Sequence, residues 1–162
     1  MKNLLLKKNV LNVEKILKNF DKSIQIIQLD SSARTAKDAA NSLKVDTGSI
    51  VKSLLFKKIN KKEFFLCLVS GDKFISIKKL SLILQSKIEK ASANDVKEYT
   101  GFSIGGVAPI GHLNKPLKIL IDPNLKRFNY IYAAAGHPFV VFPINFNQIM
   151  EITKGEIKDF IE

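Results

Sequence analysis

The chain is predicted to fold as one mixed α/β domain with strands paired across long sequence separations. Three observations predict it. Helical stripes and short apolar runs of strand length alternate along the chain, with turn signals between them. Its 162 residues have the usual length of one domain, enough to bury roughly 70% of the unfolded surface, and no repeat, linker or low-complexity segment divides them. An apolar content of 46% with eleven phenylalanines supplies a core, while 25% charged residues is typical of a soluble protein.

The elements follow in order. Apolar residues at Val10, Val13, Ile16, Leu17 and Phe20 form a helical stripe over residues 10–20, and "SIQIIQL" after it reads as a strand. In "SSARTAKDAANSLKV", Thr35 caps a helix with Asp38 three residues on, and Ala36, Ala39, Ala40 and Leu43 share a small, close-packing face. "TGS" breaks the chain before "IVKSLLFK" and "NKK" breaks it again before "EFFLCLV", the pattern of a hairpin that "SGD" closes. "KKLSLILQSKI" and "NDVKEYT" read as short helices, the second capped by Asn94. Beyond a glycine-rich run come the strand "LKILID", a helical turn with Pro123 at its first position, the strands "YIYAAA" and "FVVFPI" around the turn "GHP", and a last helix "NFNQIMEI".

Net charge is +11, large enough to attract a polyanion such as nucleic acid. Only Arg34 and Arg127 of the 26 basic residues are arginine, so the excess reads equally as the lysine, asparagine and isoleucine drift of an AT-rich genome. A specific phosphate reader more often carries arginine forks. The single cysteine, Cys67, rules out an intramolecular disulfide framework and fits a reducing, cytoplasmic setting. Lys7 and Lys8 cut the first apolar run short of a signal peptide, and no run is long enough to span a membrane.

Three places carry candidate chemistry. Lys52 shares a period-two face with Ile50, Leu54 and Phe56, so its charge needs a path to water or an anion; a lysine snorkelling from a strand end satisfies the same pattern. In "TGFSIGGVAPIGH" the glycines permit positive φ or close approach to a ligand, and Pro109 stiffens the loop. Such a loop can aim several N–H groups at one anionic oxygen, or be a plain structural turn. It is neither a P-loop nor a dinucleotide fingerprint, because His112 and Leu113 follow Gly111 and the glycine spacing differs. His137, between Gly136 and Pro138, is held extended at a strand end, with His112 as its competitor. Two histidines and one cysteine show no metal-ligand spacing, and there is no nucleophile elbow.

Together, "TAKDAANSL", "GSIVKSLLFK", "SGD", "TGFSIGGVAPIGH" and "AAAGHPFVVFP" resemble the YbaK/EbsC-type aminoacyl-tRNA deacylases, free-standing relatives of the editing domain inserted in bacterial prolyl-tRNA synthetases. The resemblance covers residues 35–152, and the G-x-x-P-x-G element at Gly106, Pro109 and Gly111 is its most specific part. It implies a single domain over residues 1–162 with a curved, mixed, largely antiparallel sheet flanked by helices. It also implies hydrolysis of the ester joining a wrong amino acid to the tRNA 3′ end, with no cofactor and no metal.

Carried over residue by residue, the resemblance matches Lys52 to the family's functional lysine, Gly106 to Gly111 to its glycine-rich loop, and His137 to the histidine of the prolyl-editing branch. Lys52, Gly106, Gly111 and His137 are thus the expected catalytic positions. Ser53, Gly105, Ala108, Pro109, Ile110, His112 and Gly136 are expected to border the substrate; Ser53 stands where some relatives carry asparagine. An aminoacyl ester is already activated, so positioning and charge stabilisation can supply much of the rate. The implied partners are a mischarged tRNA acceptor end and an aminoacyl-tRNA synthetase. A small amino acid is the expected substrate, on the ground that Gly105, Gly106, Ala108, Ala133, Ala134 and Ala135 line the two nearest segments. The alternative is a module that holds the aminoacyl end without hydrolysing it.

Overall fold

The computed structural model describes residues 3–30 and 35–162. Helix α1 (Lys8–Phe20) buries Val10, Val13 and Leu17, the predicted stripe. Strand β1 is only Ile27–Gln28, shorter than the apolar run around it. Helix α2 (Ala36–Leu43) starts where Thr35 Oγ1 accepts the Asp38 N–H at 3.1 Å. The hairpin follows as β2 (Val51–Lys58) and β3 (Phe64–Ser70), and every residue of β3 is buried.

Helix α3 (Ile77–Leu84) stops earlier than its apolar pattern, because Gln85 turns left-handed, and the chain re-forms as β4 (Ile88–Lys90). Helix α4 (Ala93–Thr100) is capped two residues before the expected Asn94: Ser92 and Asp95 form a reciprocal capping box. The remainder is β5 (Lys118–Ile121), β6 (Ile131–His137), β7 (Val140–Ile144), α5 (Phe146–Thr153) and β8 (Glu156–Ile157).

The sheet has a five-stranded part in the order β4-β2-β3-β5-β8 and a three-stranded part in the order β1-β7-β6. A parallel bridge, Ile50 to Tyr132, joins them. The hairpin contacts are antiparallel, and β5 adds parallel strands at the far side.

Period-two alternation sends β2 residues to two cores. Val51 and Leu55 face the large core under α1 with Leu66, Leu68 and Phe142. Leu54 and Phe56 face a smaller core with Cys67, Val69, Leu80 and Phe160. No helix among the described residues is long and apolar enough to cross a membrane.

Candidate active site

Strand β2 is covered unevenly, and this makes the cavity. On its outer edge β4 pairs only with Phe56 to Lys58, and the Ala91 N–H reaches the Leu55 carbonyl at 3.0 Å. At the other end its backbone pairing with β6 is the bridge from Ile50, just before β2, to Tyr132. No strand among the described residues pairs with that edge between these points. The gap is a cavity of about 230 Å³, walled by Val51 to Leu55, by Thr35, Ala36 and Ala39 of the α2 end, by Lys90 and Ala91, by Ile104, Gly105 and Val107, and by Tyr132 and Ala134.

Lys52 lies on the small-core face, as its alternation predicted, at the end where that core gives way to solvent. Its ammonium donates to the Lys73 carbonyl and sits 4.8 Å from the centre of the Phe74 ring. Burial pushes its pKa down, Asp72 and Asp122 pull it back up, and Lys90 adds to the lowering.

The turn that receives Lys52 is braced. Arg127 grips Asp72 with both amino groups, at 2.6 and 3.1 Å, and also reaches Ser70 Oγ. The pairing holds the Asp72 carboxyl at about 2, mainly through the Arg127 hydrogen bond. Fully buried Asp122 accepts the Ser70 N–H at 3.0 Å. "SGD" is therefore the anchor of the lysine's partner.

Ser53 points to the opposite face from Lys52, and its buried hydroxyl has no hydrogen-bond partner among the described residues. A buried hydroxyl in that condition costs free energy unless a ligand meets it.

The glycine loop and the histidine turn, some thirty residues apart in sequence, pack together. A Cβ on Gly106 would lie 2.9 Å from His137 Cα, and one on Gly105 would lie 3.6 Å from Pro138. Gly105 has φ +86° and borders the cavity, which a glycine can do only with its backbone. Val107 borders it too, whereas the Gly106 N–H is taken by the Ser103 carbonyl at 2.9 Å. Ala108, Pro109 and Ile110 are buried behind the wall. Gly111 and Gly136, both with positive φ, turn against α1 at Asn12, Ile16 and Asn9.

His112 Nε2 lies 2.7 Å from the Ala108 carbonyl, and its ring meets Phe102 edge-on. Burial lowers its pKa, partly offset by that hydrogen bond. His137 Nδ1 accepts the Phe139 N–H at 3.1 Å, and its ring packs against Phe139 outside the cavity wall. Burial, then Lys7, lowers its pKa as well.

Of the residues expected from sequence, Lys52, Ser53 and Gly105 border the cavity directly. Gly106, Ala108, Pro109, Ile110, Gly111, His112, Gly136 and His137 stand behind these. Sequence reasoning missed Ile104, Val107, Lys90 and Tyr132, whose place depends on which strand edge stays open. The described lining holds no carboxylate, imidazole or thiol, and no group of three metal-ligating side chains occurs among the described residues.

Residues 30–152 match the model of the aminoacyl-tRNA editing domain. The chain belongs to the aminoacyl-tRNA editing domain family. It is 31% identical over 135 residues to the uncharacterized protein YwhH of Bacillus subtilis, covering 83% of this chain and 80% of that one. It is 32% identical over 107 residues to the proline–tRNA ligase of Kosmotoga olearia, covering 65% of this chain and only 18% of the ligase. Among solved structures, one described as a candidate trans-editing enzyme for prolyl-tRNA synthetase superposes with a TM-score of 0.90 at 30% identity, covering 97% of this chain and 99% of the other.

Proposed function

We propose that the protein is a deacylase that clears a small, wrongly attached amino acid from tRNA by hydrolysing its ester to the 3′-terminal ribose. The observation that carries this reading is the cavity on the open β2 edge, which Lys52, Ser53, Gly105 and Val107 border together. The family supports the substrate class.

Water adds to the ester carbonyl carbon, whose oxygen turns anionic; collapse breaks the bond to the ribose oxygen, which takes a proton as it leaves. The backbone amides of Gly105 and Val107 are the donors assigned to the anionic oxygen. Lys52 has three N–H donors and spends one on Lys73, leaving two for the substrate. With no carboxylate or imidazole in the described lining, the rate rests on positioning and charge stabilisation, and the substrate's own hydroxyl is the nearest proton relay. His137 acts through the packing of Gly106.

Ala108, Ala133 and Ala135 are buried away from the cavity, so the small-residue preference rests on the bulky walls Ile50, Leu54, Ile104, Tyr132 and Val141, which occupy the space a large side chain would need. Several ligases that the chain resembles are proline–tRNA ligases, which makes a proline tRNA carrying alanine the first substrate to try. Such a substrate places the reaction in the cytoplasm, beside the synthetase that made the error. In the test, purified protein is added to that charged tRNA and loss of alanine is followed against the uncatalysed rate. Acceleration is expected; tight binding with no acceleration would instead identify a holding module.

A further inference from the structure

We propose that Phe74 and Lys90, with Lys52, form a platform beside the cavity for the 3′-terminal nucleotides of the tRNA: the lysines, which border the cavity, hold a phosphodiester and the free face of Phe74 stacks a base. The inference rests on the deacylase reading for the identity of the ligand, and on the settings of Phe74 and Lys90 for its place.

Phe74 is 67% exposed, although it follows directly on the braced turn that receives Lys52. Its backbone is fixed, because its carbonyl accepts the Glu162 N–H at 2.9 Å and Ile75 bridges to Ile161. One face of the ring meets the Lys52 ammonium, and the exposure leaves the rest to solvent. An isolated exposed phenylalanine is ordinary; one on a fixed backbone, set against the partly desolvated ammonium of a lysine that borders the cavity, is a ready stacking surface.

Lys90 lies directly across from Phe56 in the β2–β4 register, so it projects on the same sheet face as Phe56, Leu54 and Lys52. It borders the cavity and has no ion-pair partner among the described residues. Lys90 and Lys52 project on one sheet face and both border the cavity, while Asp72 is held by Arg127 and buried Asp122 by the Ser70 N–H. Like charges gathered without an acid between them favour an anion.

The chemistry of the substrate completes the fit. With the aminoacyl ester in the cavity, the ribose carries a phosphate and a base out through its mouth, an anion and an aromatic ring within one nucleotide. Lysine charge with an aromatic face is the recurring way to hold single-stranded nucleic acid without reading sequence. An acidic peptide would use the lysines and leave the ring idle.

The test uses the trinucleotide CCA as probe, titrated into wild-type protein, Phe74→Ala, Phe74→Trp and Lys90→Gln, with melting temperatures confirming that each folds. Phe74→Ala is expected to weaken CCA binding on the order of tenfold and Phe74→Trp to retain it. Lys90→Gln is expected to weaken binding and lower the logarithmic salt slope by about 0.7, the single-strand value for one contact. On mischarged tRNA both losses should appear in KM more than in kcat. Unchanged CCA binding in Phe74→Ala and Lys90→Gln would overturn the platform, even if the wild type deacylates. Conversely, ring-dependent CCA binding by a protein that hydrolyses no charged tRNA would keep the platform and sink the deacylase reading.

Discussion

Gly106 is a glycine because His137 is where it is. A methyl group there would sit 2.9 Å from His137 Cα and 3.0 Å from Pro138 Cδ, both rigid neighbours. Gly106→Ala should therefore cost roughly 1–3 kcal/mol by overpacking, and it should lower deacylation further by displacing Gly105 and Val107 from the cavity wall. Denaturant midpoints and turnover measured on one preparation check both; a variant with native stability and native turnover would remove the packing argument. Lys52 makes the opposite kind of prediction. It is half-buried, donates to one carbonyl and supports no core, so Lys52→Ala should abolish deacylation while leaving the fold intact. Lys52→Arg should also be poor, because a planar fork cannot replace a compact ammonium between the Lys73 carbonyl and the Phe74 ring. Retained turnover in the alanine variant would refute the role.

At the scale of elements, the glycine loop is pinned by His112, whose ring nitrogen lies on the Ala108 carbonyl in a buried setting. Its pKa is lowered in the folded chain, so the unfolded chain binds the proton more readily. The stability that neutral His112 contributes is thus present above the ordinary histidine value, near 6.5, and is lost as pH falls through the lowered folded value. Melting temperature between pH 7 and pH 5 should fall more steeply for wild type than for His112→Gln; parallel curves would contradict the assignment. The elements themselves were largely legible. The stripe Val10, Val13, Leu17, the Thr35 cap, the hairpin around Asn60 and the alternation that sets Lys52 beside Leu54 and Phe56 are local signals, and the fold keeps them. The α4 cap moved from Asn94 to Ser92 because Asp95 completes a box there. Strands β4 and β8 are three and two residues long, too short for any period, and exist only through their neighbours. The cavity was illegible for the same reason: Ile104, Lys90 and Tyr132 meet because β4 and β6 leave the middle of one β2 edge uncovered. That Gly106 and His137 touch follows from long-range packing, which no local motif announces.

For the whole molecule, the +11 charge is carried almost wholly by lysine. Spread ammonium groups attract a phosphate backbone without reading sequence, and they are screened by salt. Raising salt from low to moderate should weaken tRNA engagement more than it slows cleavage of bound substrate, as KM and single-turnover rates will report. A flat KM would mark the charge as compositional drift. Hydrolysis itself, and the size of the residue removed, decide the function. An added methylene or hydroxyl shifts affinity by only about 1–3 kcal/mol, so a cavity walled by Ile50, Leu54, Ile104, Tyr132 and Val141 should separate small residues incompletely while turning away large ones. The direct measurement is the relative rate of deacylation of one tRNA charged in turn with alanine, serine, cysteine and phenylalanine. Acceleration over the uncatalysed rate is expected for at least one of the three small residues, with phenylalanine the slowest of the four; no acceleration on any of them, or phenylalanine released faster than all three, would rule out a deacylase selective for small residues.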